Sequence, residues 1–477
     1  HGHFAFGETA KESYDQIIVH TQKVADYLKI ENPTNLFTRN PHRASGVFPI
    51  IRGLIGDMIG PNSPMPIMDL RNGKDELQFL KRNDLEELST RGTASPDHVI
   101  RIKGRPLVLR ESVWSQGREA IKEELDKYAE EYKAMFERQA PQADQPKTML
   151  PTDPKNIWME GIGLIGLGAN AKAASIAGDL VVQNARVRAI GEDAGGFRPI
   201  SEKDLFDCEY WSLEQAKLGK GTPPKFQGKI VMITGGSGTI GFAIAKAFSK
   251  LGAQTILVDK DEIALKESVA KLGVGHKYFP IDVTHSDAAN QAMLAAINNF
   301  GGLDILISNA GAAHAGPMLG ISNEELRNAF ELNFFSHFSF STEAAKILKD
   351  QNRGGQILFN ISKQAVNPGK NFGAYGLPKA TTFFLMRQLA LELGSDGIRV
   401  NGINADRIRS GLLTDDFISS RAKSRGVSES EYMAGNLLNK EVTAEHVADA
   451  FTALACAEST TGHVMTVDGG NIEASLR

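Results

Sequence analysis

Tyr375 and Lys379 stand four residues apart in Tyr375-Gly-Leu-Pro-Lys379. On a helix that spacing places a phenol and an ammonium on one face, one turn apart. A nearby ammonium favours phenolate, so the pair is expected to lower the tyrosine pKa and let it exchange a proton with an alcohol near neutral pH. Alone, Tyr-x3-Lys is a common surface pair. Here it lies thirteen residues after Ser362 and downstream of a glycine-rich turn. The three features in that order point to hydride-transfer chemistry.

The turn is Gly235-Gly-Ser-Gly-Thr-Ile-Gly241, entered from the apolar run Ile230–Thr234 and followed by a helical pattern with Ile240, Ile244, Phe248 and Leu251 on one face. Glycines let the chain turn sharply and let backbone N–H groups at a helix N-terminus approach a pyrophosphate. Gly235, Ser237, Gly238, Thr239, Ile240 and Gly241 are therefore candidate dinucleotide contacts. The next apolar run ends in Asp259, 24 residues after Gly235, where a carboxylate accepts from both ribose hydroxyls and repels a 2′-phosphate. This favours NAD over NADP, with Lys260 and Lys266 able to soften the preference. Asp282, beside Val283, reads either as a contact to the adenine edge or as a helix N-cap. Small residues at Asn309-Ala310-Gly311, after the run Asp304–Ile307, suit close passage beside a flat cofactor.

Alternating short apolar runs and helical patterns from Lys225 onward predict a parallel sheet wound with helices. The turn, Ser308-Asn309-Ala310-Gly311, Asn333, Ser362, Tyr375-x3-Lys379 and Thr461–Gly470 together resemble the short-chain dehydrogenase/reductase family over about residues 226–472. That resemblance implies a Rossmann-type, doubly wound sheet of seven parallel strands. It also implies Tyr375 as acid/base, Lys379 tuning it and contacting the nicotinamide ribose, Ser362 donating to the substrate oxygen, and Asn333 holding a relay water. There are departures. Thr239 replaces a family glycine, and Ala405-Asp406 stands where Pro-Gly is usual. In Asn360-Ile-Ser-Lys363 the motif alignment puts Lys363 in the serine slot, whereas counting back from Tyr375 favours Ser362. Arg407 and Arg409 could fork onto a substrate carboxylate or phosphate, or pair internally with Asp415 or Asp416.

The front of the chain reads as a tail over residues 1–37, with Tyr14, Ile17, Ile18 and Val24 on the apolar side of a helix, and a second region over 45–215. Ser112–Arg138 reads as one charged helix and Gln139–Thr152 as a loop; Gly219–Lys225 reads as the linker to the third region, 226–477. His1-Gly-x-Phe-x-x-Gly-x-Thr-Ala-Lys resembles the last strand and helix of the class II sugar-phosphate aldolase family. There the histidine is a ligand to a divalent metal such as zinc, so His1 is expected to be an orphaned ligand. The stretch echoes Ile162–Lys172 at a constant offset of 161 residues, as a degenerate duplicate would. Arg91–Arg101, Phe206–Trp211 and Ala405–Leu413 are similar to the bifunctional rhamnulose-1-phosphate aldolase/lactaldehyde dehydrogenase proteins, which implies a class II aldolase-like α/β region, partial here. His98 reads as a metal or substrate contact or as a structural histidine.

The 477 residues suffice for two or three domains, and a net charge of −4 argues against a nucleic-acid surface. Two cysteines, Cys208 and Cys456, lack metal spacing and fit a reducing cytosol, so a cytoplasmic location is expected. No apolar run approaches the roughly 20 residues that span a bilayer. The chain opens on His1 rather than methionine, and a segment upstream is expected. The family likeness implies a small-molecule substrate and a homodimer or homotetramer.

Overall fold

The computed structural model describes residues 3–30, 46–60, 63–216, 221–313, 315–411 and 413–471. Two units emerge: Met68–Gly168 with Ala173–Thr222 and the N-terminal stretch, and Pro223–Arg477 with the segment up to Ile67. Near the N-terminus, helix α1 (Ala10–Tyr27) is capped by the Thr9 hydroxyl and buries no residue, so Tyr14, Ile18 and Val24 stay exposed. Helix α2 (Phe48–Ile59) buries most of its length.

In the first unit four strands, β1 (Ile67–Arg71), β2 (Leu107–Leu109), β3 (Asn156–Met159) and β4 (Gly163–Gly168), form a sheet in the order β1-β4-β3-β2. The β3–β4 pair is antiparallel and β2–β3 parallel. The charged stretch after β2 is not one helix. A short turn at Glu111–Trp114 ends before Gly117 (φ +92°), and α3 runs from Arg118 to Gln139. The positive φ suits glycine and resets the chain direction. Helix α4 (Ala171–Asp193) packs Ala177, Val181 and Ala185 against Trp158 and Leu164. It starts 161 residues after α1, so the echo in sequence extends to the helix starts.

The second unit is a seven-stranded, all-parallel sheet. Its strands are β5 (Ile230–Thr234), β6 (Gln254–Asp259), β7 (Lys277–Pro280), β8 (Ile305–Ser308), β9 (Gly355–Asn360), β10 (Ile398–Ala405) and β11 (Val464–Val467). The order is β11-β10-β9-β8-β5-β6-β7. Helices include α5 (Thr239–Lys250), α6 (Ala288–Phe300), α7 (Ser336–Gln351), α8 (Gly373–Leu393), α9 (Asp415–Arg425) and α10 (Ala444–Cys456). The central strands are continuous apolar runs because helices cover both faces. β5 is buried at every position, and Phe248 of α5 stacks on Phe226 at 5.1 Å. Chain order reverses between β5 and β8, and in such sheets a crevice opens at the strand C-termini there.

α2 belongs to this unit although about 170 residues separate it from β5. It packs on α7 so closely that a Cβ at Gly53 would lie 1.9 Å from the Gln351 carbonyl oxygen. Its fully buried Arg52 donates to Asp304 Oδ2 (2.8 Å), Gln351 Oε1 (3.0 Å) and the carbonyls of Pro66 and Gly228 (2.8 Å each). Such a charge is tolerated only when it is paired and its hydrogen bonds are satisfied.

Candidate active site

β5 delivers the chain into the glycine turn at the crevice. Gly235 adopts φ +64°, and a Cβ on Gly241 would sit 2.1 Å from the Gly235 carbonyl oxygen, so the first helical turn folds directly over the strand end. Thr239 opens α5 and is exposed, which accommodates its side chain where the family has glycine. Gly235, Gly238, Thr239, Ile240, Gly241, Asp259, Asp282, Val283, Asn309, Ala310 and Gly311 all line one cleft of ≈ 1010 Å³. Ser237 does not line it but bonds Asp259 Oδ2 through its hydroxyl (2.7 Å), while Lys260 N–H donates to Oδ1 (2.8 Å). Asn309 is fixed by Thr234, whose Oγ1 accepts from its N–H (2.9 Å), and by Asn360, which donates to its Oδ1 (2.8 Å). Asp282 neither ends a strand nor caps a helix. β7 stops at Pro280, and the Asp282 carboxylate closes a turn by accepting from Thr284 N–H (3.0 Å) and Oγ1 (2.7 Å). Those bonds hold its pKa below the usual carboxylate value.

On the other side of the cleft, α8 carries Tyr375 and Lys379, both buried and both lining the cavity. Ser362 lines the same cavity, and its hydroxyl acts on the Tyr375 phenol to favour the phenolate. Ser362 also caps the turn Lys363–Ala365 by accepting from Gln364 N–H (3.2 Å), and this turn carries Lys363 away to Asp406 (3.3 Å). Ser362, not Lys363, is therefore the side chain at the phenol. The expected lowering of the tyrosine pKa is reversed in the chain alone. Burial pushes the phenol up, only partly offset by the Ser362 hydroxyl, and burial also pulls Lys379 down to about 7. Spacing predicts the neighbour but not the desolvation, which disfavours both charged forms. Lys379 Nζ lies 5.9 Å from the Tyr375 ring centre and donates to the Asn360 carbonyl (3.0 Å).

Asn333 sits in a π-turn, Glu331–Phe335, which leads into α7. Its amide donates to the Ala312 (2.9 Å) and Ala329 (3.1 Å) carbonyls, and its own carbonyl accepts from Thr382 Oγ1 (2.8 Å). It does not line the cleft. Its Oδ1 is buried without a hydrogen-bond partner among the described residues, beside Gly311, which also neighbours the end of Lys379. One turn on, His337 was not singled out in the sequence. Its Nδ1 meets Ser308 Oγ (2.6 Å) and its Nε2 faces Lys379 Nζ (3.4 Å). The four-residue step from Asn333 is the signal that could have found it.

The substrate side departs from the usual Pro-Gly. After Ala405, Asp406 Oδ2 is shared by Lys363, Arg407 (3.5 Å) and Asn471 (2.6 Å). Arg407 takes a positive φ (+52°) and donates to the Tyr432 carbonyl (2.7 Å). Arg409 pairs with Asp415 (2.6 Å) and Glu441 (2.8 Å), so it is an internal ion pair and not a substrate fork.

His1 lies outside the described residues. His98 is buried, with Nδ1 on Ser95 Oγ (2.7 Å), and burial lowers its pKa, as in a structural histidine. Among the described residues no three His, Cys, Asp or Glu side chains gather as a metal ion needs, so the donor set for zinc is not met there. Neither Cys208 nor Cys456 forms a disulfide. A nicotinamide dinucleotide, by contrast, fits the residues present: a crowded glycine cradle, an acid at the β6 end, and Ser362 with the buried Tyr375 and Lys379 on one cleft. Among the described residues no helix is long and apolar enough to cross a membrane.

Comparison with known proteins agrees with this division. Residues 42–218 match the family model for aldolase class II, second domain, and residues 236–471 match that for enoyl-(acyl carrier protein) reductase. The chain is 29% identical to "Uncharacterized oxidoreductase YuxG" of Bacillus subtilis (strain 168), over 98% of its length and 71% of that protein. It is 31% identical to secoisolariciresinol dehydrogenase of Forsythia intermedia, over 52% of its length and 90% of that protein. A solved L-sorbose reductase from Gluconobacter frateurii, complexed with NADPH and L-sorbose, shares 27% identity, with a TM-score of 0.49, over 52% of this chain and 98% of its own. The chain thus carries an aldolase class II domain in its front part, and its C-terminal half belongs to the short-chain dehydrogenase/reductase family.

Proposed function

We propose that the C-terminal unit is an NAD-linked oxidoreductase acting on a small aldehyde or secondary alcohol. The observation that carries this reading is that Ser362, the buried Tyr375 and the buried Lys379 line the same cleft that the glycine turn opens. Gly235–Gly241, Asp259 and Asn309–Gly311 would hold the dinucleotide, with Lys379 toward its nicotinamide ribose. That group, when bound, supplies the hydride acceptor.

Tyr375 Oη takes the proton from the substrate hydroxyl. Ser362 Oγ donates to the same substrate oxygen and stabilises its developing charge. Lys379 favours the phenolate whenever it is charged, and Asn333 Oδ1 offers a hydrogen-bond acceptor to a water that would relay protons beyond it. The Asp259 carboxylate supports NAD over NADP, because a 2′-phosphate there would meet a like charge. The likeness to the aldolase/dehydrogenase proteins supports lactaldehyde oxidation to lactate as one such reaction, with the aldehyde hydrate giving up hydrogen. Cys208 and Cys456 do not line the cleft, so a thiohemiacetal route has no nucleophile there. Exposed Leu377, Phe384 and Leu391 on α8 support assembly through that helix, which sedimentation would read as a dimer or tetramer.

The test is a panel of short aldehydes and secondary alcohols with NAD and NADP, followed by absorbance of the reduced cofactor. Reduction of NAD by at least one member is expected; no reduction with any member would sink the reading. A second reading, metal-dependent aldol cleavage by the front part, is favoured by the aldolase class II match. Metal analysis of the natural full-length protein decides it: bound zinc with cleavage of a phosphorylated deoxysugar supports it, and a metal-free, inactive front part removes it.

A further inference from the structure

The substrate end of the cleft is strongly cationic. Lys363, Lys370, Arg407, Arg421 and Arg425 line it, and Asp406 is the acid facing them. Asp406 is already engaged by Lys363, Arg407 and Asn471. No carboxylate among the described residues pairs with Arg421, Arg425 or Lys370.

Arg421 is the best organised of the three. Its guanidinium lies 5.2 Å from the ring centres of both Phe372 and Phe417, which cross edge-to-face at 6.0 Å and also line the cleft. Two aromatic faces fix the plane of the guanidinium without using its N–H donors. Those donors stay available for a fork onto a planar or tetrahedral oxyanion. Arg425, one turn along α9, lies 5.3 Å from the Tyr432 ring and adds a second positive charge. The Phe372 carbonyl accepts from the Tyr375 and Gly376 N–H groups, so the aromatic partner of Arg421 sits at the start of the helix that carries the catalytic phenol.

We infer that Arg421, assisted by Arg425 and Lys370, binds an anionic group at the far end of the substrate from the reacting carbon. The inference rests on the oxidoreductase reading above and names its substrate class: a short hydroxy acid or phosphorylated alcohol, with a carboxylate or phosphate a few carbons from the hydroxyl. A neutral molecule such as lactaldehyde leaves these cations unmatched.

Two arms test it. In the first, 3-hydroxybutyrate, glycerol 3-phosphate and neutral 2-pentanol are compared as hydride donors to NAD, in the wild type and in R421Q. One or both anionic donors should exceed 2-pentanol in kcat/KM, and R421Q should cut that preference at least tenfold. Which anion leads separates carboxylate from phosphate. Equal loss on all three substrates, or a wild-type preference for 2-pentanol, overturns the inference. In the second arm, the NADH-bound protein is titrated with acetate and with inorganic phosphate. Saturable binding that weakens at least tenfold in R421Q but not in R387Q, on the exposed side of α8, supports it. Absence of saturable binding of either anion overturns it, as does loss of NADH affinity in R421Q, which would assign the guanidinium to the dinucleotide. If no donor reduces NAD, the oxidoreductase reading fails while the second arm still decides whether an anion binds.

Discussion

The His337 imidazole faces the Lys379 ammonium nitrogen at 3.4 Å, with Ser308 Oγ held at 2.6 Å on the other ring nitrogen. Burial, then the lysine charge, keeps this histidine well below its ordinary pKa, so it is a neutral ring at neutral pH. A neutral Nε2 accepts from Lys379 while Nδ1–H donates to Ser308. The imidazole therefore supports the charged form of a lysine that burial has drawn down to about 7.

Replacing His337 by Leu removes that acceptor. Lys379 then loses charge more readily, phenolate formation at Tyr375 becomes harder, and alcohol oxidation needs a higher pH. The acid limb of the kcat/KM profile should move upward by about one unit, with up to about a tenfold loss at pH 7. A profile superimposable on the wild type would show that the contact carries no charge coupling.

Asp259 sits at the end of β6 with one oxygen on Ser237 and the other on the Lys260 N–H. Its charge is what opposes a 2′-phosphate, with Lys260 beside it ready to favour one. Asp259→Ser should raise the NADP-to-NAD ratio of kcat/KM by about a hundredfold, the equivalent of a few kcal/mol of removed repulsion and lost ribose bonds. An unchanged ratio would place cofactor choice elsewhere.

The Arg52–Asp304 pair ties α2 to the dehydrogenase unit from inside its core. Arg52→Met leaves Asp304 buried without its main partner and should cost about 3–5 kcal/mol in denaturant unfolding near pH 7. In the wild type, burial alone would raise the Asp304 pKa, but Arg52 and Lys229 outweigh it and the net shift is downward. A depressed carboxylate stabilises the fold above its unfolded pKa and loses that stabilisation as pH falls through the folded value. In the variant burial is opposed only by Lys229, so the carboxyl is pushed up and protonates as pH falls from 7 toward 4, and the gap between wild type and variant should narrow over that range. A variant of wild-type stability would show that α2 is held by its apolar face alone.

Much of the dehydrogenase unit was readable because its signals are local. Ile230–Thr234 is a buried strand followed by a glycine turn, and both are written in the twelve consecutive residues 230–241. The order of Ser362, Tyr375 and Lys379 is likewise local, since one turn and one helix place all three. What escaped depends on distant chain. The Ser362–Lys363 ambiguity needed Asp406 to resolve, because that carboxylate draws Lys363 aside. The sign of the tyrosine shift needed its burial, which spacing does not encode. Arg421 drew no attention because its aromatic partner Phe372 is 49 residues away in sequence, and α2 gave no sign of its attachment to Asp304, 252 residues on from Arg52. Ser112–Arg138 was read as one helix because its charge pattern runs past Gly117, where the backbone turns.

The central claim is that the Tyr375 hydroxyl moves the proton. Tyr375→Phe keeps the ring and its packing and removes only the phenolic oxygen. With whichever panel substrate reduces NAD, kcat should fall about 10³-fold while NADH titration returns the wild-type dissociation constant within about threefold. Retention of more than a tenth of wild-type turnover, with the fold intact, would contradict the assignment.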